Sequence, residues 1–325
     1  MAALTSWQAP QNINGGIYSR TWSLFQEISK RQAKNNQIDA ICESIGSKLN
    51  TVIEGGICAI ETGDRNWDDQ LELHLRIVWL FFYDAARFCD GKHRDRLVVE
   101  LMLIHGIGEL TDIRASDDGD AQQRVPVTTR KGALWSDMPF FAEDMALFWI
   151  QDCAKMSRTQ RRNLHSFLAT VGGVGIHDRI CGVGIVVLRE TFENPRERGD
   201  DRTDDTEDEN RTMDSLTVTD LFDCARYWMV KARDRLERLS ERNFCDIPYG
   251  LGQLGPLAEQ AGVPDNGGFS MERLRFWRSR FREFLGLGDQ EEDYFPDDDC
   301  FEESLEEGEG PDVDPIPPQN RWPDF

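Results

Sequence analysis

Apolar residues recur at helical spacing along most of the chain, and strand-like alternation is almost absent. The spacing predicts helices over 18–34, 37–60, about 66–89 and about 93–110. In the third of these, Leu75–Phe82 is apolar on nearly every side. We therefore expect that helix to lie in the middle of a helical bundle.

The second half of the chain begins with a polar stretch, 114–132, which predicts a loop. Ser157 followed by Gln160 forms a capping-box pattern, which marks the start of a helix. The predicted helices of this half cover about 136–153, 157–171, 176–193, 217–239 and 270–285. The sequence thus predicts an all-α fold, an irregular antiparallel helical bundle or array.

Charged residues are distributed unevenly along the chain. The net charge is −22, and residues 289–325 hold 15 acidic residues against one arginine. The segment 193–214 holds 10 acidic residues and 4 arginines, so the rest of the chain carries about −2. Blocks of like charge repel and stay extended. We predict a flexible N-terminus (1–16), one helical domain (17–288) with a disordered acidic insert (193–214), and a disordered acidic tail (289–325).

Several protein classes are disfavoured by composition. The longest strongly apolar run, Ile77–Tyr83, is far shorter than the roughly 20 residues that cross a bilayer. Met1–Gly16 lacks the basic and apolar regions of a signal peptide, so we predict a cytoplasmic, possibly nuclear, protein. A nearly neutral body does not favour duplex nucleic acid as a partner. The eight cysteines are at least 16 residues apart and form no CxxC pair, so we predict no metal site and no cofactor.

One sequence block resembles a known family. It comprises Leu134–Phe141, then Trp149, then Gln160–Ala169, and it resembles a family of fungal helical proteins of unknown function. The resemblance implies a fungal source and an all-α fold, and it brings no catalytic residue. Large apolar side chains at helix ends usually lock neighbouring helices, although a pocket is the alternative. The block residues singled out are Trp135, Asp137, Pro139, Trp149, Asn163 and Phe167.

The catalytic candidates are few. Asp68, Asp69 and Glu72 resemble the acid-rich DDxxE pattern of class I terpene cyclases, in which carboxylates on one helix face hold Mg²⁺. The second metal motif of those enzymes does not follow, and acids in a first helical turn are favoured by the helix dipole alone. His165 is either a general base or, as we expect, a helix-interface histidine.

Two glycine runs, 172–175 and 182–184, have nucleotide-loop composition without the spacing of a nucleotide loop. We therefore expect them to serve close helix packing.

The last predicted helix, 270–285, is both basic and apolar. Its apolar stripe is either a core face or a docking face for a protein partner or for the chain's own acidic tail. The residues concerned are Arg273, Leu274, Trp277, Arg278, Phe281 and Phe284. We predict a non-enzymatic interaction or scaffold protein. The alternative is a small-molecule enzyme or binder with an inter-helix cavity, such as a Mg²⁺-dependent, terpene-cyclase-like enzyme using Asp68, Asp69 and Glu72.

Overall fold

A computed structural model describes most of the 325-residue chain. The described residues are 27–31, 34, 40, 41, 43–47, 51, 67–89, 91–106, 108, 111–115, 122–200, 205–247 and 250–287, with the backbone alone at 67–70, 111–115 and 122–126. The predicted tail, 289–325, and the predicted flexible N-terminus, 1–16, lie outside these residues, and the domain limits of 17–288 stay a prediction.

The described residues are mainly helical, which confirms the all-α prediction. The α-helices are α1 (Trp67–Phe88), α2 (Gly91–Gly106), α3 (Phe141–Asp152), α4 (Arg158–Val174), α5 (Cys181–Leu188), α6 (Val218–Lys231), α7 (Arg233–Glu241), α8 (Pro256–Gln260) and α9 (Met271–Leu285). A π-helical turn, Arg189–Glu193, continues α5, and 3₁₀ turns lie at Asp178–Ile180 and Met213–Ser215. Residues 27–31 and 43–47 are helical, and the rest of the two helices predicted before residue 61 lies outside the described residues.

The predicted loop, 114–132, instead contains two short antiparallel pairs. Strand β1 (Thr111–Ala115) pairs with β2 (Gln122–Pro126), and β3 (Thr128–Thr129) pairs with β4 (Gly132–Ala133). The loop prediction was wrong there because strands of only two to five residues are too short to show an alternating pattern.

Helix α4 lies between α1 and α6 in the core. Phe167 of α4 stacks on Phe82 of α1 with ring centroids 6.3 Å apart. On the other side of α4, the Trp228 indole N–H of α6 donates to His165 at 3.1 Å. Leu75–Phe82 is buried throughout, as predicted for the central helix. Among the described residues, no helix is long and apolar enough to cross a membrane.

The acidic insert is ordered over its described parts, 193–200 and 205–214, so the prediction of disorder was wrong for them. The Asp205 carboxylate accepts from the backbone N–H of Thr159 at 3.0 Å, and the Asp208 backbone N–H donates to Lys155 at 3.0 Å. The start of α4 offers unpaired N–H groups and the positive end of a helix dipole. Asp205 of the acidic insert therefore caps the start of α4.

Candidate functional site

The turn before α3 has a strained backbone. Trp135, Met138 and Phe140 have φ values of 67°, 43° and 68°, in the left-handed region that bulky residues rarely adopt. Each such residue costs on the order of 1–3 kcal/mol and persists only where its surroundings hold it in place. All three side chains are buried, so packing holds this turn in shape. The turn also delays the start of α3 to Phe141, five residues after the predicted start.

Hydrogen bonds fix the turn at both ends. The Asp137 carboxylate accepts from the backbone N–H of Ala133 at 2.7 Å. The Trp79 indole N–H of α1 donates to the Pro139 carbonyl at 2.8 Å, and the Trp79 ring meets Phe141 edge-on at 5.0 Å. The turn is thereby attached to the central helix.

A charged cluster lies beside the turn. The buried Arg76 guanidinium pairs with Asp144 and with Glu72, whose Oε1 is 3.1 Å from Arg76 Nε. Arg130 also contacts that Glu72 oxygen, at 2.6 Å, and Arg76 lies over the Phe140 ring at 4.5 Å. Glu72 is therefore engaged by two guanidinium groups.

The other two carboxylates of the DDxxE pattern are on the same helix. Asp68 and Asp69 lie in the first turn of α1, and their side chains are outside the described part. No group of three or more His, Cys, Asp or Glu side chains that could hold a metal ion occurs among the described residues.

Asp144 makes stability depend on pH. Burial raises the pKa of this carboxyl to about 7, against the opposing effect of the Arg76 guanidinium. A folded-state pKa above the unfolded value gives stability that is present in acid and lost as pH rises through about 7.

We therefore expect Asp144→Asn to remove part of the stability loss between about pH 4 and pH 7, the interval from the ordinary pKa of an aspartate to the raised folded-state pKa of Asp144. Urea unfolding at several pH values measures it. The exposed Glu197→Gln is the control, with an unchanged pH profile. Equal pH profiles for wild type and Asp144→Asn contradict the assignment.

A shallow indentation lies beside the strained turn. Its volume is about 280 Å³ when the open space at its entrance is included. Its lining includes Asp137, Met138, Phe140, Glu143, His177 and Arg179. Glu143 pairs with Lys131 at 2.8 Å, and Arg179 pairs with Asp246 at 3.2 Å. His177 accepts from the Arg179 backbone N–H, and burial lowers the pKa of the His177 imidazole. A ligand would have to compete with these internal partners.

His165 lies at the interface between α4 and its neighbours. Its Nδ1 accepts from Trp228, and its ring meets Trp149 of α3 edge-on at 4.1 Å. Burial, with a further effect of Arg161, lowers the pKa of His165 to about 3. The imidazole is thus neutral and enclosed at physiological pH. Asn163 lies on the same helix and donates to the Arg87 carbonyl of α1 at 3.3 Å.

The apolar stripe of α9 is a core face. Arg273, Leu274, Trp277 and Phe281 are each at most 1% exposed. The alternative that these four side chains form a docking face was therefore wrong, because α9 packs them against the rest of the bundle. The two other members lie at its margin: Phe284 stacks on Phe222 of α6 at 4.2 Å, and Arg278 pairs with Glu237 of α7 at 3.3 Å.

A buried ion pair explains the arginine within that stripe. Glu193, in the π-helical turn, accepts from Arg273 Nε at 2.7 Å, from the Trp277 indole N–H at 2.6 Å and from the Gly255 backbone N–H at 2.7 Å. Arg273 Nη2 also donates to Glu193, at 3.1 Å, and Arg273 Nη1 donates to the Gly252 carbonyl at 2.6 Å. Sequence reasoning missed this pair because Glu193 was assigned to the acidic insert.

Sequence reasoning also missed a cationic surface formed by two helices. Arg158 and Arg162 of α4 and Arg226 of α6 are partly exposed, and we call these three arginines the arginine surface. Asp223 pairs with Arg158 at 3.1 Å. Burial lowers the pKa of Arg226, Asp223 opposes this effect, and Arg162 and Arg158 act in the same direction as burial. The guanidinium groups are thus close enough to repel one another.

The comparisons with known proteins identify the family. The family described as "Protein of unknown function (DUF3632)" matches residues 79–281, more than half of the chain. This chain belongs to the DUF3632 family. The predicted resemblance to a fungal family of unknown function is thereby confirmed. The matched range of this DUF3632 protein runs from α1 to α9, so it includes the acidic insert and excludes the tail.

A curated relative is "Oxopyrrolidines biosynthesis cluster protein G" of Penicillium oxalicum. It is 32% identical over 266 residues, which cover 80% of this chain and 72% of the relative. No solved structure matches this DUF3632 protein significantly.

Proposed function

We propose that this DUF3632 protein is a non-enzymatic interaction protein that binds an acidic segment of another protein on its arginine surface. The observation that carries the proposal is the proximity of Arg158, Arg162 and Arg226 on two adjacent helices, where Asp223 pairs with Arg158. A carboxylate-rich segment would relieve the repulsion among the guanidinium groups and form bidentate hydrogen bonds with them.

The small extent of the arginine surface favours a peptide ligand over duplex nucleic acid. A duplex presents a continuous row of phosphates that needs a long basic face. The arginine surface spans two turns of α4 and one turn of α6, which suits a short peptide segment. An acidic peptide therefore fits both the size and the sign of this surface.

The state of the catalytic candidates supports a binding role. Glu72 is shared between Arg76 and Arg130, and His165 is enclosed between Trp149 and Trp228. A general acid or base must reach a substrate proton. These two side chains instead hold helices together.

The relative adds a biological setting. That protein is named for a cluster of oxopyrrolidine biosynthesis. We extend to this chain a role beside biosynthetic enzymes, in which the arginine surface binds an acidic segment of one of them.

The first test is direct binding of a fluorescent polyglutamate peptide. The full-length protein is used with the acids of 289–314 replaced by their amides, so that its own tail does not compete. We expect Arg162→Gln with Arg226→Gln to weaken binding about tenfold, roughly 1.4 kcal/mol, as measured by fluorescence anisotropy. Arg238→Gln, at an exposed position on α7, is the matched control and should leave the affinity unchanged. Equal affinity for all variants, or no binding, refutes the proposal.

A second candidate function is small-molecule binding at the indentation. The strained turn favours it, since strained residues often cluster at ligand sites. The cyclase-like form of this candidate requires Mg²⁺ at Asp68, Asp69 and Glu72. A Mg²⁺-dependent rise in melting temperature that Asp68→Asn with Asp69→Asn abolishes would favour it. No rise would exclude magnesium binding there.

A further inference from the structure

We propose that Thr206, in the acidic insert, is a phosphorylation site for an acid-directed protein kinase, and that Arg211 of the same insert binds the phosphate group. The proposal does not depend on the proposed function, because it concerns a covalent modification of the insert and not a ligand of the arginine surface. Its support lies in the exposure of Thr206, in the acidic residues that follow it and in a guanidinium group held beside it.

Thr206 lies on the outer side of the acidic insert. Both of its neighbours contact α4: Asp205 accepts from the Thr159 backbone N–H at 3.0 Å, and Glu207 accepts from the side-chain amide of Gln160. The Thr206 side chain is instead exposed to solvent, and its backbone belongs to no helix or strand. A kinase can therefore reach this hydroxyl without unfolding a secondary-structure element.

The three residues after Thr206 are the acids Glu207, Asp208 and Glu209. Their side chains are 34%, 47% and 82% exposed, respectively. Kinases select substrates by their charge pattern, and a basic subsite binds carboxylates through charge-assisted hydrogen bonds. Glu209 makes a long contact of 3.9 Å with Lys155, and ion pairs between two exposed side chains are weak. A kinase subsite that is specific for an acid three residues after the phosphorylated residue can therefore replace that contact.

The modification is a phosphoryl transfer from Mg²⁺-bound ATP. A bond forms between Thr206 Oγ and the γ-phosphorus, the bond from that phosphorus to the bridging oxygen of ADP breaks, and ADP leaves. The hydroxyl proton passes to the catalytic aspartate of the kinase. The exposed side of the insert then carries a phosphate with a charge of about −1.5 to −2 in place of a neutral hydroxyl.

Arg211 is placed to bind this phosphate. Its Nη2 donates to the carbonyl of Thr206 at 3.2 Å, and its Nη1 donates to the carbonyl of Met156 at 3.2 Å. The guanidinium group therefore already contacts the residue that receives the phosphate. Guanidinium groups form stronger hydrogen bonds with phosphate oxygens than with a neutral carbonyl. Arg211 can thus exchange its bond to the Thr206 carbonyl for a bond to the phosphate on the same residue.

The first test is phosphorylation of the folded, full-length protein by casein kinase II with ATP and Mg²⁺. Ser304 is replaced by alanine, because Glu307 gives it a similar acidic pattern in the tail. We expect tandem mass spectrometry to locate a phosphate on Thr206. Glu209→Gln should lower the initial rate about tenfold, because one charge-assisted contact with the kinase is lost. Asp214→Asn, at an exposed acid further along the insert, is the matched control and should leave the rate unchanged.

Thr206→Ala should abolish the modification, whereas Thr206→Ser, which keeps the hydroxyl, should still be phosphorylated. Circular dichroism checks that each variant is folded. The proposal is overturned by the lack of any phosphate, by a phosphate on Thr203 or Thr212 in place of Thr206, or by equal rates for wild type and Glu209→Gln.

The contact with Arg211 is tested by phosphorus NMR on the phosphorylated protein, titrated with pH. The second pKa of a phosphorylated hydroxyl is ordinarily about 6, and a nearby guanidinium group lowers it. Arg211→Gln should therefore raise this pKa by about half a pH unit or more. Arg238→Gln, on α7, is the control and should leave it unchanged. The same pKa in wild type and Arg211→Gln would overturn the role assigned to Arg211.

Discussion

Glu193→Ala is expected to lower the free energy of unfolding by about 3–5 kcal/mol, the cost of breaking a buried ion pair by removing one partner. Glu193 and Arg273 are both fully buried, and their charged atoms approach to 2.7 Å. Without the carboxylate, the guanidinium stays in the interior with its charge uncompensated. The Trp277 indole N–H and the Gly255 backbone N–H lose their acceptor at the same time.

Because of the position of this ion pair, we expect its loss to destabilise several segments of the protein at once. Glu193 ends the π-helical turn after α5, Arg273 belongs to α9, and Gly255 precedes α8. One carboxylate therefore joins three segments that are distant in sequence. Loss of the pair should loosen α9 together with the loop between α7 and α9.

Urea unfolding followed by circular dichroism measures the effect. Glu197→Ala is the matched control, since Glu197 is exposed four residues later, and we expect it to change stability by less than about 0.5 kcal/mol. Glu193→Leu combined with Arg273→Leu should be less destabilised than Glu193→Ala, because no unpaired charge remains. A loss below about 1 kcal/mol for Glu193→Ala would show that the pair contributes little net stability.

The helices were predictable where their ends and faces carry local signals. The capping box at Ser157 and Gln160 is present, and Thr217 with Asp220 forms another at the start of α6. The predicted helix 217–239 is nevertheless divided at Ala232, whose φ of −104° and ψ of 13° are not helical. Ala itself favours helix, so tertiary packing decides this break.

The site residues were harder to predict because their roles depend on contacts between distant segments. Glu193 looks like one more acid of the insert, and Arg273 looks like one more surface arginine. Their pairing spans 80 positions in sequence. Likewise, the arginine surface exists only because α4 and α6 are adjacent. Periodicity identified the α9 stripe correctly as apolar, but a stripe alone does not distinguish a core face from a docking face.

The glycine runs were interpreted as packing devices, and the structure confirms this. A Cβ on Gly173 would lie 2.3 Å from the Lys231 carbonyl oxygen of α6, and one on Gly184 would lie 2.7 Å from the Trp228 ring. Gly172 faces the same ring, at 2.9 Å. Glycine thus allows α4 and α5 to approach α6 at the place where Trp228 bonds His165.

We therefore expect Gly173→Ala and Gly184→Ala each to lower the free energy of unfolding by about 1–3 kcal/mol, the usual cost of overpacking a core. Gly173→Ala should be the more severe, because its Cβ meets backbone, which cannot rotate away as a side chain can. Near-ultraviolet circular dichroism should also report a displaced Trp228 in Gly184→Ala. Chemical denaturation of the two variants measures the stability change.

Gly106→Ala is the control that separates the effect of crowding at the new Cβ from the effect of the helix propensity of alanine. Gly106 ends α2, and among the described residues no atom lies within 4 Å of the position that a Cβ would take. Replacing it should leave stability unchanged or raise it by up to about 1 kcal/mol, since Ala restricts the unfolded chain and favours helix. If Gly173→Ala and Gly184→Ala behaved like Gly106→Ala, the close approach of the three helices would not limit stability, and the glycines would need another explanation. Opposite signs for the crowded and the open position would instead establish that helix contact requires glycine here.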